Sequence, residues 1–479
     1  MRAHLHLTAA IGFVAMCASS RSTGAEEGGE KAERAEAVSE AVTGAAPAGT
    51  GTARPAPVLT PRSPSWDGAR RTATTTEIDS LTVTCGVEVR LSAEMKRDYD
   101  FDDSVDTRGK DDGYFTSTSR VFLGLKFNDR FNAVLCGQDV HRWDKESTQP
   151  NDEFDLYLGY FDLRMRDLPV GLRVGRQELD YGKGRLLARS WGSPYGKAFD
   201  AAMLSYESER WAVHAFAGNK VDRYYDSLNL ADHNEDLHGV YGMWRANKAH
   251  KLDAYFLSKT NHRDLVTGED GRDGDVAIYT VGVRAHGKLG DRLKYDVEVP
   301  FQFGDYAYDD VNAWALAARA EYAFDGPSKP FVVLEYDQAS GDGDGTDGDR
   351  EHFDDLYGTN WSRLGVSNLL NWENVRHVGL GAGARPAKGL KLALAYHFFW
   401  LDEAGDWWRD YIGIPIRRDF TGTADNEVGQ EIDLKVSWRP KSDLALLVGW
   451  GHFFPGQFVE DTGAHDDSDY LYFMVVKAF

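Results

Sequence analysis

Ser340-Gly-Asp-Gly-Asp-Gly-Thr-Asp-Gly-Asp349 sets carboxylates between glycines over a short span. Hard cations take oxygen ligands, and a glycine-rich backbone can wrap such an ion. Asp342, Asp344, Asp347 and Asp349 are therefore weak candidates for Ca²⁺. The run does not match the twelve-residue helix–loop–helix register, and no glutamate closes it at the right place. A solvated acidic loop competes with the metal reading, here and at 268–275. A second stretch, Arg173-Val-Gly-Arg-Gln-Glu-Leu-Asp-Tyr-Gly-Lys-Gly-Arg-Leu-Leu-Ala-Arg189, concentrates guanidinium groups. Guanidinium stays charged at any relevant pH and pairs with carboxylates through two parallel hydrogen bonds. Nucleophile-elbow serine, His-Glu-x-x-His and paired-cysteine metal patterns do not occur, and His214, His262, His377, His397 and His452 are dispersed. An enzyme is not expected.

These residues must be positioned by strands. Leu81, Val83, Cys85, Val87, Val89 and Leu91 share one face, and Thr82, Thr84, Gly86, Glu88, Arg90 and Ser92 share the other. The same period of two recurs at Leu293–Phe303, Trp314–Phe324, Leu390–Trp400 and Ile432–Trp438. One alternating run also fits a half-buried soluble strand. Many runs of roughly ten residues fit a tilted strand that crosses a bilayer with one face to lipid and one to water. The runs fall at 81–92, 114–127, 131–143, 154–165, 170–179, 198–207, 210–218, 237–247, 250–260, 276–287, 292–304, 313–324, 330–338, 374–385, 389–401, 430–439, 443–453 and 469–479. The expected fold is all-β: a membrane-spanning antiparallel up-and-down barrel of about eighteen strands, occupying 79–479.

Short connections, such as Asn128-Asp129-Arg130, alternate with long ones, such as 93–113, 180–197, 219–236, 339–373, 402–429 and 454–468. Tight periplasmic turns opposite long extracellular loops are the plan of an outer-membrane barrel. The chain ends on Phe479 after an alternating strand, resembling the signal read by the barrel-assembly machinery. Lys477 interrupts that outward face and is expected to snorkel at the membrane edge. Alternation turns Arg90, Arg120 and Arg173 inward, with Glu88, Arg284, Lys294, Glu298, Arg319, Glu335, Asp337, Asp433 and Lys435. Such charges either pair along the wall or set the preference of a pore.

Composition agrees. The net charge of −22 excludes a nucleic-acid partner, and aromatic residues reach 12%. The mean hydropathy is −0.48, and no apolar run is long enough for a membrane helix. Residues 1–25 read as a secretory signal, with Arg2 before an apolar stretch from Leu7 to Ala18. Residues 26–78 are rich in Ala, Glu, Thr, Gly and Pro and read as a disordered periplasmic spacer. Cys17 falls in the signal. Cys85 and Cys136 fall in strands, as small packing residues or as a disulfide in an oxidising periplasm.

The 173–189 stretch is followed by Ala198-Phe-Asp-Ala-Ala-Met-Leu-Ser-Tyr206. Towards the C-terminus stand Gly422-Thr-Ala-Asp425, Gly429-Gln-Glu-Ile-Asp-Leu434 and Gly449-Trp-Gly-His-Phe-Phe-Pro-Gly456. Together these resemble the alginate export family of outer-membrane barrels over most of 80–479. The resemblance implies eighteen strands in the outer membrane of a Gram-negative-type bacterium, no cofactor, and passage of an anionic polysaccharide through a constriction lined with arginines and some acidic residues. By matching motif it implies Arg176 and Arg185 as pore-lining residues; Arg173, Arg90 and Arg120 join them from alternation. The acidic chain departs from an anion-conducting lumen and keeps neutral sugars and small solutes open. The alternatives are a general diffusion porin, or a structural or adhesive barrel whose lumen is plugged by loops. Expected partners are outer-membrane lipid, the assembly machinery and the transported solute.

Overall fold

The computed structural model describes residues 73–78, 80–101, 112–143, 151–225 and 227–479. The expected signal, Cys17 and nearly all of the expected spacer lie outside the described residues.

Eighteen long strands follow in chain order: β1 (Leu81–Arg97), β2 (Asp112–Lys126), β3 (Phe131–Trp143), β4 (Asp152–Arg164), β5 (Val170–Gln177), β6 (Phe199–Glu207), β7 (Trp211–Asp222), β8 (Leu230–Arg245), β9 (His250–Thr267), β10 (Asp273–Leu289), β11 (Leu293–Tyr306), β12 (Asp309–Ala323), β13 (Phe331–Ala339), β14 (Val375–Ala387), β15 (Leu390–Trp400), β16 (Glu427–Lys441), β17 (Leu444–Pro455) and β18 (Ser468–Ala478). Neighbours pair antiparallel, and β18 returns to β1 from Glu88↔Ala478 to Arg97↔Asp469. Closure matters because an unpaired backbone N–H or C=O has no water to bind in hydrocarbon. Among the described residues no helix is long and apolar enough to cross a membrane, so the strands carry that task.

The period of two decides the faces. In β2, Asp112, Tyr114, Thr116, Thr118, Arg120 and Phe122 are buried inside the barrel, while Phe115 stands exposed outside. Leu91, Leu135, Phe161, Val174, Leu204, Val240, Val283, Phe301, Leu334, Leu380, Leu394, Leu434 and Phe473 form the matching apolar outer wall. Paired aromatics mark both rims: Trp211–Trp244 at 5.7 Å near the short turns, and Phe115–Trp143 at 5.5 Å near the long loops. Their amphipathic rings suit the headgroup level. Two short turns share one device. Asn128 Oδ1 accepts the amides of Arg130 and Phe131, and Asn247 Oδ1 those of Ala249 and His250.

The expected alternation of connection lengths fails on one side. Beyond β9 the chain turns in five residues, 268–272, and β11 reaches β12 through only 307–308. Strand pairing continues past the bilayer to Val266↔Gly274 and Thr267↔Asp273, and Gly271, at φ 79°, makes the turn. Outside hydrocarbon, water satisfies both faces of such a strand, so polar sequence does not end it. Strand β8 likewise starts at Leu230 instead of 237.

Cys85 pairs with Leu123 on the outer face and Cys136 with Phe122 on the inner one. The wall separates them, so they are not joined to each other. Lys477 does not simply snorkel: its ammonium pairs with Asp443 in the adjacent turn and lies 5.2 Å from the Phe479 ring. Thr74–Ile78, the tail of the stretch read as spacer, forms a five-residue strand against β1, from Thr74↔Cys85 to Ile78↔Leu81. It lies below the point where Phe479 and Val87 exchange backbone hydrogen bonds of 2.8 and 3.2 Å.

Candidate functional site

The arginine-rich stretch starts on β5. Arg173 donates to both oxygens of Asp162 at 2.7 and 3.1 Å and packs over Tyr160. Arg176 donates to both oxygens of Asp200 at 2.8 and 2.9 Å and to the carbonyls of Leu156 and Asn229. Gly175 between them has φ 122°, and a Cβ there would meet the Gly159 carbonyl at 2.2 Å. The Gly-Arg-Gln signature is thus a close approach of two strands that only glycine permits. Beyond it, Gly182 and Gly184 take left-handed angles, turning the Tyr-Gly-Lys-Gly-Arg segment into the lumen. Arg185 ends on the far wall, 2.8 Å from Glu298 and 3.2 Å from Asp296 of β11.

The connection from β5 to β6 folds inward and is fixed to the wall by its carbonyls. Arg90 donates to Trp191 O at 2.6 Å, Gly192 O and Ser193 O at 3.1 Å. Thr118 reaches Pro194 O, and Gln138 reaches Tyr195 O. Five consecutive carbonyls therefore bind side chains of β1, β2 and β3. Arg120 supports this ladder by donating to Gln138 at 2.7 Å, with Glu88 at 3.7 Å and the Tyr157 ring at 4.3 Å.

A second inward loop, within 340–374, meets the first. Tyr357 N donates to Leu186 O, Ala188 N to Tyr357 O, and Thr359 N to Gly184 O. Lys259 of β9 binds Asp354 at 2.7 Å, while Gln302 of β11 brackets the Asp354 backbone. Leu364, Val366, Leu369, Leu370 and Trp372 are fully buried against the wall. The core of this barrel therefore sits inside it, built of loop apolar residues and lumen-facing side chains.

Between the two loops and the wall lies a cavity of about 490 Å³. Tyr114, Tyr157, Tyr195, Tyr357 and Trp361 supply ring faces; Arg142, Arg176, Lys197, Lys220, Arg223 and Lys259 supply cations; Glu94, Asp152, Asp155, Glu235 and Asp355 supply carboxylates. Arg223 sits 4.1 Å over the Tyr195 ring and Arg142 3.8 Å over Tyr114. Burial lowers the Lys197 amine to about 8, and its ammonium donates to Gly358 O. Of the five arginines expected to line a pore, Arg176 lines this cavity. Arg90, Arg120, Arg173 and Arg185 are buried in wall and loop contacts and are not among its lining residues. Arg142 and Lys220 were missed, although each shares the inward parity of its strand with Gln138 or His214.

Asp342, Asp344, Asp347 and Asp349 are not gathered into one candidate ion site. Among the described residues the acidic group that comes together is Asp354, Asp355 and Glu373. Lys259 already neutralises Asp354 and Asn360 donates to Asp355. Burial, then Glu373 and Asp354, push Asp355 up to about 7. Of the dispersed histidines, the fold unites two: His377 Nε2 and His397 Nδ1 are 2.8 Å apart.

A closed eighteen-strand barrel with an apolar outer wall, aromatic rims and loops folded into a charged lumen is an outer-membrane channel of the porin type. This chain belongs to the alginate export family, whose model matches residues 81–473. It resides in the outer membrane of a Gram-negative envelope. No curated protein matches it. Among solved structures it is similar to OccK1 (OpdK) of Pseudomonas aeruginosa, with 11% identity, 83% of this chain and 98% of that chain covered, and a TM-score of 0.58. It is also similar to OccK2 (OpdF) of the same organism, solved in complex with glucuronate, with 13% identity, the same coverage and a TM-score of 0.56.

Proposed function

We propose that this barrel is a passive conduit for a carboxylated saccharide, with the cavity between its two inward loops as the selective element. The observation that carries this reading is the cavity lining. Ring faces suit the apolar faces of sugar rings, and Arg142, Lys220 and Arg223 suit carboxylates. Carboxylates on the same lining weaken the hold on any anion, and weak sites let a solute leave as well as enter. Family membership and the glucuronate bound to OccK2 point the same way. Residues 1–25 serve export and 26–78 form a periplasmic spacer in this reading, its last five residues paired with β1.

The test is single-channel current through the full chain in planar bilayers, with oligouronates added, for wild type and Arg223→Ala. Arg223 is exposed at the cavity and does not hold the wall. Block by oligouronates, weakened several-fold in the variant, is the expected result. A current that neutral and acidic oligosaccharides block equally overturns the acidic-sugar reading and leaves a general porin. Absence of current in folded protein overturns the conduit itself.

A further inference from the structure

Close to the short turns, five successive strands carry a group of cations on their lumen face. Lys294 (β11), Arg319 (β12), Arg385 (β14) and Lys391 (β15) stand there with two carboxylates, Glu321 (β12) and Glu335 (β13). Glu321 is shared by Arg385 at 3.0 Å, Arg319 at 3.6 Å and Lys294 at 3.7 Å, and Glu335 takes Arg319 at 2.8 Å. Phe331 of β13 supports the group, with Arg385 at 4.3 Å and Lys391 at 5.0 Å from its ring centroid. That ring packs on Gly383, where a Cβ would meet it at 2.3 Å. Gly379 and Gly381, paired with Glu335 and Val333, put no side chain into the lumen beside the cations.

Lys183 joins from the Tyr-Gly-Lys-Gly-Arg turn of the first inward loop. It is exposed, and the charges around it are Asp296, Arg284, Arg319 and Arg185. Five cations thus face two carboxylates. The neighbouring acids are spent elsewhere. Asp296 holds Arg284 and Arg185, and Glu298 holds Arg185. Asp433 holds Lys435 and the Val366 amide, and Glu431 holds the Ser367 amide. Among the described residues neither Lys183 nor Lys391 forms an ion pair. The surplus stands out in a chain whose net charge is −22. Like charges crowded along a low-dielectric wall repel one another, and their summed field draws anions to the mouth they line.

This group is separate from the cavity, and none of its five cations lines it. Gln302, which holds the Asp354 backbone beside the cavity, and Lys294 are eight residues apart on β11. At roughly 3.3 Å per residue that is about 26 Å of strand. A short uronate reaches one of the two places at a time, whereas a longer chain reaches both.

We propose that Lys183, Lys294, Arg319, Arg385 and Lys391 form a second anion subsite at the periplasmic mouth. It takes carboxylates of the same saccharide chain that occupies the cavity, so the barrel holds polymer in preference to monomer. The inference rests on the conduit reading above, which gives one chain a path between the two places. Linking two weak sites through one ligand strengthens the hold without any new contact.

The test is block of single-channel current by a uronate dimer and a uronate decamer, for the full chain and for Lys183→Gln/Lys391→Gln. In wild type the decamer should block at about a hundredfold lower concentration than the dimer. In the variant that gap should shrink about tenfold, with block by the dimer unchanged. The same gap in both proteins, or equal block by dimer and decamer in wild type, overturns the second subsite and leaves the conduit reading in place. A second measurement needs neither current nor saccharide. Val333→Cys sets a thiol between Phe331 and Glu335, with wild type as the blank. An anionic methanethiosulfonate should label it about tenfold faster than a cationic one, and the two lysine substitutions should reduce that advantage. Equal rates, or faster labelling by the cation, overturn the positive mouth. Anionic preference without block by either uronate overturns the conduit reading, and the saccharide as ligand with it.

Discussion

Arg176 and Asp200 face each other across adjacent strands as a two-pronged pair, with hydrogen bonds of 2.8 and 2.9 Å at the edge of the cavity. Arg176 is about nine-tenths buried, while the Asp200 side chain is 36% exposed. The guanidinium that family resemblance offers to the solute is therefore committed to a carboxylate.

Removing either partner should act in opposite directions. Arg176→Ala leaves Asp200 unopposed and should shift the reversal potential in a salt gradient towards cation selectivity. Asp200→Asn releases part of Arg176 and should strengthen oligouronate block by a few-fold. Equal shifts of the same sign in both variants would mean that the pair acts only through packing.

Arg90 should behave as a latch on the first inward loop. Arg90→Met leaves the carbonyls of Trp191, Gly192 and Ser193 without their charged donor, at about 1–3 kcal/mol for each buried group that water cannot reach. The expected outcome is noisier current and faster proteolysis within 189–197, with the barrel still resistant to denaturation by detergent until heated. Unchanged noise and cleavage would show that Thr118 and Gln138 suffice.

The outer loops carry a pH-dependent clamp. His352 Nδ1 contacts Asp406 at 2.5 Å, and Nε2 lies 3.6 Å from Glu373. Burial opposes the imidazolium, but Asp406 outweighs it and raises His352 to about 9. Burial likewise opposes the Asp406 carboxylate, and His352 lowers it to about 2. A raised histidine stabilises fully below its unfolded value near 6.5 and loses that contribution as pH climbs through about 9. A depressed aspartate contributes above about 4 and loses its share as pH falls through about 2. Protease protection of the 340–350 and 401–426 segments should therefore be greatest between about pH 4 and about 6.5 and decline towards about pH 9. In His352→Gln the alkaline decline should vanish. Its persistence would place the titrating group elsewhere.

Cysteine labelling checks the faces of the wall. A lipid-soluble maleimide should modify Cys85 and spare Cys136, and mature protein should run identically with and without reductant. Modification of Cys136 in folded barrels would contradict the inward packing of this thiol against Phe122.

Most of the wall was legible because lipid on one side and water on the other impose a period of two. Leu91 beside Arg90, or Phe115 between Tyr114 and Thr116, could be sorted by parity alone. Loops have no such period. The second inward loop still left a mark: Leu364-Gly-Val-Ser-Asn-Leu-Leu-Asn-Trp372 is too apolar for a solvated connection and announces burial. What it packs against was beyond reading, because Glu431, Asp433 and Lys435 lie far away in sequence. The same distance hid the meeting of His377 with His397. Arg173 was recognisable by parity as facing inward, and Arg176 and Arg185 only through the family motif, but their partners Asp162, Asp200 and Glu298 come from other strands, and pairing decides whether a cation is offered to solute or consumed.

The short Thr74–Ile78 strand has a further consequence at the barrel seam. It forms a hairpin with Leu81–Cys85, a local contact that needs no distant partner. When the C-terminal strand arrives, that stretch of β1 is already occupied, and Val87 is the first position at which Phe479 can dock. A slip by one residue would turn every lipid-facing side chain of the last strand into the lumen. The hairpin is thus an end-stop: it sets the zero mark from which closure of the whole cylinder is measured.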